Sequence, residues 1–439
     1  MAPKKTPPQP KQPPPDGDAR FSDVGVTPQP DGGGHLAFHV AGVDLSIVNA
    51  LRRSVISSVP IAAFCFDAYN PANNGVLIRK NTTCLDNEIL GHRISQVPIG
   101  FDANQLRLFE PSHYRFVLRV KNDSPDVVSV TTADFEVFDH TGARYPKEVR
   151  DALFPRNSLT GDHVLLSKLR PAAYSSDGGF VGEEIHVECS ATIGTAAVHT
   201  RWMPVSDCFF SNTHDAVASA AALAARLDKL RASGASDALI DDQRADWAAL
   251  DAHRHFVRDA SGEPSAFDFR VRSECPGLPP AYLVFKGFRV LQARLADAAR
   301  AMRGGEGAER VEVKAFPNMD DFYAVGVRGE DHTLGNLAQA MLFRKWIKDG
   351  GGVDVSYIGY HQPHPLENRI VFKIHCAKPR DDVRERLAGG LDWVRMQVAA
   401  LTLEWVGASG LSGAGIVEVN EAIRQTAAQR ARGPAAAPN

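Results

Sequence analysis

The sequence predicts an α+β fold in which two related units share one chain and a mostly β domain is inserted into the first unit. Three observations support this prediction. A ten-residue pattern, V-x-G-x-D-x-[ST]-[IL]-x-N, occurs at residues 40–49 and again at 327–336. Strand-like and helix-like segments alternate around each copy, which favours sheets covered by helices on one side. Residues 114–205 lie between the copies and are rich in strand-forming residues.

Each copy of the pattern predicts the end of a strand, a turn and the start of a helix. The glycine allows the backbone to turn. Polar side chains next to it can accept hydrogen bonds from the free amide groups of the first helical turn. The predicted helix caps are Asp44, Ser46, Asp331 and Thr333. Chance could produce such a pattern of small and capping residues, but the similar segments around the two copies favour a common origin.

The first unit is predicted to comprise residues 21–72 and 263–304. A strand at 35–41 leads into a helix that runs to about Ser58 and is stopped by Pro60. Apolar residues recur on one face of this helix, while Arg52 and Arg53 lie on the other side. A strand near 267–272 and a long helix at 281–303 complete the unit.

Two insertions are predicted inside the first unit. Residues 73–212 form the mostly β domain, which includes a helix at 85–97 that ends at Pro98. Residues 213–262 change to an Ala, Leu, Arg and Asp periodicity, which predicts one or two helices around a break at Gly234.

The second unit is predicted at residues 308–408, with two strands, a helix, two more strands and a last helix from Asp381 to about Trp405. Both ends of the chain are predicted to be poorly ordered. Residues 1–20 are rich in proline and form a predicted disordered tail. Residues 409–439 form a predicted C-terminal tail that is partly disordered.

Composition restricts the class of protein. With 44% hydrophobic and 23% charged residues and a net charge of −3, the 439-residue chain has an ordinary globular composition, which argues against a protein that grips nucleic acid with its whole surface. Six scattered cysteines without a CxxC pair indicate neither disulfides nor a thiolate zinc site, so an intracellular reducing compartment is expected. The sequence contains no apolar run of the length that predicts a membrane span, and its N-terminal segment lacks the apolar stretch of a secretory signal.

The segments after the first copy resemble one family of RNA polymerase subunits. That family comprises the bacterial alpha subunit, the archaeal D subunit and the third-largest subunit of eukaryotic RNA polymerase II. The matching segments have the order and spacing of its N-terminal signature: NALRR at 49–53, VPIA at 59–62, NTT at 81–83, DNE at 86–88, HRI at 92–94 and VPI at 97–99. Later segments at 169–171, 194–205 and 267–280 resemble further landmarks of the family.

The second unit resembles a different member of the same system. Residues 330–337, EDHTLGNL, and 359–367, GYHQPHPLE, are similar to the small archaeal L subunit and its eukaryotic counterpart. The resemblance therefore implies two alpha-like dimerisation units, a pseudo-heterodimer in one chain, with the D-like unit first and the L-like unit second. Such fusions are similar to subunits of polymerases encoded by large DNA viruses of eukaryotes. This similarity implies viral transcription, with the chain located in the host cytoplasm or nucleus or packaged in the virion.

The function implied by the resemblance is assembly of a DNA-directed RNA polymerase. The expected partners are the second-largest and largest subunits and other small polymerase subunits, with DNA reached only indirectly. The residues expected at the dimer interface are apolar and follow the two pattern copies: Ile47, Leu51, Val55, Leu334, Leu337 and Met341. They are expected to pack on one another or on the helix at 281–295. The residues expected to contact a partner subunit are polar: Asn49, Arg52, Arg53, Glu88, His92 and Arg93.

No enzymatic motif accompanies these features. The chain lacks GxSxG, P-loop and HExxH motifs and a magnesium-binding carboxylate triplet, so it is expected to be a non-catalytic component of a nucleotidyltransferase complex. No cofactor or metal is expected. Some relatives hold a metal or iron–sulfur cluster in the inserted domain, but Cys189 and Cys208 stand alone here. Prolines separate His361, His364 and Glu367, which disfavours a shared metal site.

Three alternatives stay open. The arginine pair at 52–53 is also compatible with an ordinary solvated helix face, and His92 is compatible with a structural histidine. At the level of function, the alternative is a stand-alone protein-interaction or DNA-architectural module with the same fold.

Overall fold

The structure is a computed structural model, and it describes residues 20–28, 34–174, 180–317, 319–350, 354–377, 380–413 and 415–431. The tail predicted at 1–20 lies outside these residues except for Arg20, and so does 432–439 of the predicted C-terminal tail. Across the described segments, no helix combines the length and apolar character needed to cross a membrane.

Seventeen strands and ten α-helices form within the described residues. The strands are β1 Phe21–Pro28, β2 Gly34–Ala41, β3 Ile61–Phe64, β4 Val76–Asn81, β5 Arg115–Lys121, β6 Val128–Thr131, β7 Phe135–Phe138, β8 Leu165–Leu169, β9 Ala173–Tyr174, β10 Phe180–Val181, β11 Glu184–Gly194, β12 Val205–Asn212, β13 Ala266–Ser273, β14 Val311–Ala315, β15 Phe322–Arg328, β16 Val355–His361 and β17 Arg369–Cys376. The helices are α1 Leu45–Ser57, α2 Asn87–Ser95, α3 Ala103–Arg107, α4 Lys147–Leu153, α5 Ala216–Ala232, α6 Asp237–Asp246, α7 Pro280–Met302, α8 His332–Phe343, α9 Arg380–Ala408 and α10 Val417–Ala431.

The two units have the same topology. The first unit is an antiparallel sheet in the order β1–β2–β13–β12 with helices α1 and α7, and the second is an antiparallel sheet in the order β14–β15–β17–β16 with helices α8 and α9. Corresponding elements also follow one another in the same chain order: strand, strand, helix, strand, strand, helix. The predicted α+β class is confirmed.

The repeated pattern marks the same point in both units. It spans the turn from β2 to α1 in the first unit and from β15 to α8 in the second. Its glycines, Gly42 and Gly329, have φ angles of +67° and +79°. This left-handed region favours glycine because a Cβ atom would be strained there. The sharp turn places the aspartate of each copy directly before its helix.

The inserted domain has its own sheet and its own hydrophobic core. The sheet runs β3–β11–β5–β7, and β4 also pairs with β11. Its core is filled by phenylalanine rings, including Phe64, Phe116 and Phe135. This cluster is separate from the larger core that the two units share.

The sheet pairing differs from the predicted insertion boundaries of 73–212 at both ends. Strand β3, at 61–64, pairs with β11 of the inserted sheet. Strand β12, at 205–212, pairs with β13 and belongs to the sheet of the first unit. The physical reason is that strand pairing is non-local, so strand-forming residues indicate a strand without indicating its neighbour.

The helical insertion follows β12 and returns to β13. Helices α5 and α6 enclose a small core of Leu227, Ile240 and Trp247, and the Trp247 indole donates a hydrogen bond to the hydroxyl of Ser219 at 3.2 Å. Most other α5 side chains are exposed. The insertion therefore projects from the first unit as a helical hairpin.

Beyond α9, within the tail predicted at 409–439 to be partly disordered, the described residues include one more helix that the sequence did not predict. Helix α10 begins at Val417, and Val419 and Ala422 are buried in the shared core. The carboxylate of Glu418 accepts hydrogen bonds from Lys286 at 2.8 Å and from the Tyr282 hydroxyl at 3.0 Å, both on α7. Strand β1, at 21–28, is a further element that the sequence interpretation did not assign.

Candidate subunit interface

Helices α1 and α8 both begin at an aspartate. Asp44 accepts a hydrogen bond from the backbone amide of Ser46 at 2.8 Å, and Asp331 accepts the equivalent bond from Thr333 at 2.9 Å. The Ser46 and Thr333 hydroxyls donate to the same aspartates at 2.6 and 3.2 Å. Of the four predicted cap residues, only the two aspartates occupy the N-cap position. Ser46 and Thr333 lie inside the first helical turn and are buried.

Arginines connect the start of each of these helices to the other unit. Nε of Arg53, near the end of α1, donates to Oγ1 of Thr333 at 2.8 Å, and its Nη2 lies 3.7 Å from Oδ2 of Asp331. Nη1 of Arg344, directly after α8, lies 3.5 Å from Oδ2 of Asp44. The N-terminus of each helix thus faces the C-terminal end of the other, an arrangement in which both guanidinium groups meet a capping carboxylate.

A partly buried charge cluster lies beside this contact. Nη2 of Arg294, on α7 of the first unit, is 2.6 Å from Oε2 of Glu330 and 2.7 Å from Oδ1 of Asp331 in the second unit. Glu330 is 4% exposed. Burial raises the pKa of Glu330 despite the opposing charge of Arg294. Burial would also raise the pKa of Asp331, but Arg294 and the donors of Thr333 lower it overall.

The apolar residues predicted at the dimer interface are all buried in one core that contains side chains of both units. They are Ile47, Leu51, Val55, Leu334, Leu337 and Met341. Leu51 and Val55 reach α7 of their own unit at Gly287, where an added Cβ would lie 2.6 Å from a Val55 methyl group. Leu342 and Trp346 approach Gly390 of α9 in the same way. Each capped helix therefore packs closely on the long helix of its own unit.

The long helices also cross between units. Trp405 on α9 is fully buried, its ring centroid lies 4.6 Å from that of Phe38 and 5.4 Å from that of Phe21, and its indole nitrogen donates to the carbonyl of Ala281 at 2.9 Å. Phe21, Phe38 and Ala281 belong to the first unit. A second polar contact joins α7 and α9, from the amide of Gln292 to the hydroxyl of Thr402 at 2.7 Å.

The polar residues predicted to contact a partner subunit lie on two elements. On α1, Arg52 donates to the side chain of Asn49 at 3.0 Å. Arg53 makes the contact to Thr333 within the chain, so its guanidinium is already partly engaged, although 41% of its side chain is exposed. Docking of a partner through these residues stays a prediction.

Helix α2 presents the other three predicted residues, and all three are exposed. Arg93 donates to the carbonyl of Leu165 at 2.9 Å, and the ring of His92 lies edge-on to Phe66 at 5.1 Å. Glu88 lies in the first turn of the helix, where its charge is favourable.

The described residues contain no group of three or more His, Cys, Asp or Glu side chains placed to hold a metal ion. Cys189 and Cys208 are buried on different sheets, on β11 and β12. Burial raises the pKa of both thiols, to about 12 for Cys208. These thiols are therefore neutral at physiological pH.

Four interface residues were missed by the sequence interpretation: Arg294, Glu330, Arg344 and Trp405. The signal for Arg294 was a charged residue on a long helix that is otherwise largely buried. The signal for Trp405 was a large aromatic residue near the end of the last predicted helix. Neither signal identifies the partner, because each contact joins segments that are distant in the sequence.

The fold and this interface define a protein made of two related dimerisation units that pack on each other. The chain belongs to the RNA polymerase Rpb3/Rpb11 dimerisation domain family. One model of that family matches residues 37–295, and a second matches residues 324–402. The predicted pair of alpha-like units in one chain is thereby confirmed.

Two kinds of DNA-directed RNA polymerase subunit are similar to this chain. The chain is 28% identical over 181 residues to the DNA-directed RNA polymerases I and III subunit rpac1 of Dictyostelium discoideum, covering 39% of this chain and 47% of that protein. It is 27% identical over 190 residues to RPAC1 of Saccharomyces cerevisiae, covering 38% and 51%. It is 39% identical over 64 residues to the polymerase subunit Rpo11 of Saccharolobus shibatae, covering 15% and 62%. The chain thus spans about half the length of the two rpac1 relatives.

Proposed function

We propose that this chain is the assembly-platform subunit of a DNA-directed RNA polymerase, in which two alpha-like units pair within one polypeptide and dock the large catalytic subunits. The observation that carries the proposal is the single hydrophobic core to which both dimerisation domains contribute. Relatives named as polymerase subunits support it. In this role the chain contributes structure to a nucleotidyltransferase complex, and the large subunits contribute the catalytic residues.

Pairing within one chain changes the concentration dependence of assembly. Two separate subunits must meet at their free concentrations, whereas a short linker holds the two linked units at an effective concentration of roughly millimolar. The link here is the loop at 303–307 between α7 and β14. Because the loop is short, we infer that the pair forms in one folding event and that polymerase assembly loses one bimolecular step.

Cleavage of this loop is expected to leave the two halves associated. A protease site inserted between Gly304 and Gly307 would remove the covalent link without touching the buried contacts of Arg294 or Trp405. The cleaved chain should elute from a sizing column at micromolar concentration in the volume of the uncleaved chain. Separation of the halves under these conditions would show that intramolecular pairing is wrong.

The docking surface for the second-largest subunit is proposed on the exposed sides of α1 and α2. Asn49 and Arg52 lie on α1, and Glu88, His92 and Arg93 lie on α2. Arg53 lies between this surface and the second unit, because its guanidinium group contacts Thr333 and Asp331. Planar guanidinium groups suit bidentate contacts to carboxylates and carbonyls of a partner.

Charge reversal at this surface tests the docking role. The double variant Arg52→Glu with Arg93→Glu is expected to weaken co-purification with the second-largest subunit by at least about tenfold, which corresponds to 1.4 kcal/mol. Arg231→Glu on the exposed helix α5 is the matched control and should bind normally. If the wild-type chain does not bind that subunit and instead binds duplex DNA tightly at low salt, the DNA-architectural alternative is favoured.

A reducing intracellular location, in the cytoplasm or nucleus of a host cell or in a virus particle, is part of the same proposal. None of the six cysteines forms a disulfide bond, and five of them are buried. Immunoblots of cytoplasmic, nuclear and particle fractions measure this directly. Recovery of the chain only from the secreted fraction would contradict it.

A further inference from the structure

A groove runs beside the outer strand of the second sheet. Strand β16 ends the order β14–β15–β17–β16, so among the described strands its outer edge has no neighbour. The groove has a volume of about 470 Å³ and lies between this strand and the last turns of α8. Unpaired backbone N–H and C=O groups along such an edge can bind a further extended chain.

The groove walls expose aromatic rings. Phe343, at the end of α8, is 43% exposed, and Tyr357, on β16, is 46% exposed. The ring of Phe322 on β15 holds Tyr357 in place, because the two rings stack with a centroid distance of 5.6 Å. Exposed aromatic residues grouped at one place are typical of protein interfaces. The two rings lie on opposite sides of β16, because Tyr357 shares a sheet face with Lys373 whereas α8 covers the other face. Apolar side chains packed on each ring would remove its surface from water.

The charge in the groove is positive. Lys373 and His361 lie in its wall, and the described residues that line it include no carboxylate. The pKa of His361 is lowered, first by burial and then by the neighbouring charges of Lys373 and Arg369. A positive field therefore reaches this edge, and it favours a partner segment that carries acidic residues.

The residues that α8 contributes to the groove differ from those at the equivalent positions of α1. In register with the repeated pattern, Gln339 and Phe343 of α8 take the places of Arg52 and Ile56 of α1. The second copy thus replaces a charged and a smaller aliphatic residue with an amide and an aromatic ring. The two units therefore present different chemistry at related positions.

We propose that this groove binds an extended segment of another polymerase subunit, which adds as a strand to β16. Its acidic side chains would lie beside Lys373 and Tyr357 on one face of the sheet, and its alternate, apolar side chains would lie against Phe343 on the face that α8 covers. Main-chain hydrogen bonds supply affinity in this mode of recognition, and the side-chain pockets supply specificity. The inference rests on the proposed function, because the partner is a subunit of the same polymerase.

Hydrogen exchange on the full chain, alone and in a purified complex with the two large subunits, tests this proposal. The amides of residues 355–361 should become at least tenfold more protected in the complex. Lys373→Glu and Phe343→Ala should each reduce that protection and weaken the complex. The controls are Lys314→Glu on β14 at the opposite edge, and Phe209→Ala, whose ring on β12 is 47% exposed. Both controls should behave as wild type.

The outcomes separate this proposal from the assembly role. A complex that forms without protection of β16, and that tolerates Lys373→Glu, overturns the groove and leaves the assembly role standing. Failure of any complex to form overturns both. Protection of 355–361 in the free chain that rises with its concentration would show that a second copy of this chain occupies the edge, which also overturns the proposal.

Discussion

Replacing Trp405 with alanine is expected to destabilise the chain by about 3–5 kcal/mol, the usual cost of truncating a fully buried large aromatic residue. The indole fills space between Phe21 and Phe38 of the first unit, although it lies on α9 of the second. Its loss also leaves the carbonyl of Ala281 without this hydrogen bond. The effect should therefore fall on the contact between the units, and chemical denaturation of the intact chain measures it.

A second tryptophan on the same helix provides the control. Trp393 is half-buried, and its ring lies under the ammonium group of Lys345 within the second unit, at 4.5 Å. Trp393→Ala should cost less and should leave the halves associated after cleavage of the 303–307 loop. Trp405→Ala should let the cleaved halves separate. If both variants lower the denaturation midpoint equally and the halves stay together in each, Trp405 is not an anchor between units.

The repeated pattern is the part of the fold that sequence predicted best, because its information is local. A glycine, an aspartate and a hydroxyl residue at this spacing favour a left-handed turn and a capped helix without the help of distant residues. The structure shows that the similarity extends from this turn to the order of every strand and helix in the two units. Apolar periodicity likewise predicted the buried face that contains Leu51 and Leu337.

Non-local contacts set the limit of that prediction. Strand β12 is rich in strand-forming residues, as the strands of the inserted sheet are, and only its pairing with β13 assigns it to the first unit. Helix α10 was missed for a related reason. Its sequence is rich in alanine and charged residues, and its place in the core depends on Lys286 and Tyr282, which are more than a hundred residues away.

The arginine pair shows the same limit at a single site. Periodicity placed Arg52 and Arg53 together on the outer side of α1. Successive helical residues point about 100° apart, so packing can separate their environments. Arg52 contacts Asn49 on its own helix, whereas Arg53 reaches the first turn of α8. Arg53 thus helps to join the units, whereas Arg52 belongs to the docking surface that we propose for a partner subunit.

Replacing Arg294 with methionine is expected to cost about 3–5 kcal/mol, because removing one member of a buried ion pair leaves the other charge uncompensated. Glu330 would remain buried at the unit boundary, and Asp331 would lose the charge that lowers its pKa. Arg300→Met on the same helix is the control. Arg300 forms ion pairs with about half of its side chain exposed, and such pairs contribute roughly 0–1 kcal/mol.

The loss in Arg294→Met should depend on pH in a defined direction. A buried carboxyl group whose pKa is raised in the folded state destabilises the fold at pH values above its unfolded pKa, and this cost disappears as protonation becomes complete at lower pH. Without Arg294 the pKa of Glu330 rises further, so the difference from wild type should grow from pH 5 to pH 8. Adding Glu330→Gln should recover much of the stability at pH 8. A loss that is equal at both pH values, or that Glu330→Gln deepens, would show that Arg294 acts through packing and that the charge cluster does not hold the two units together.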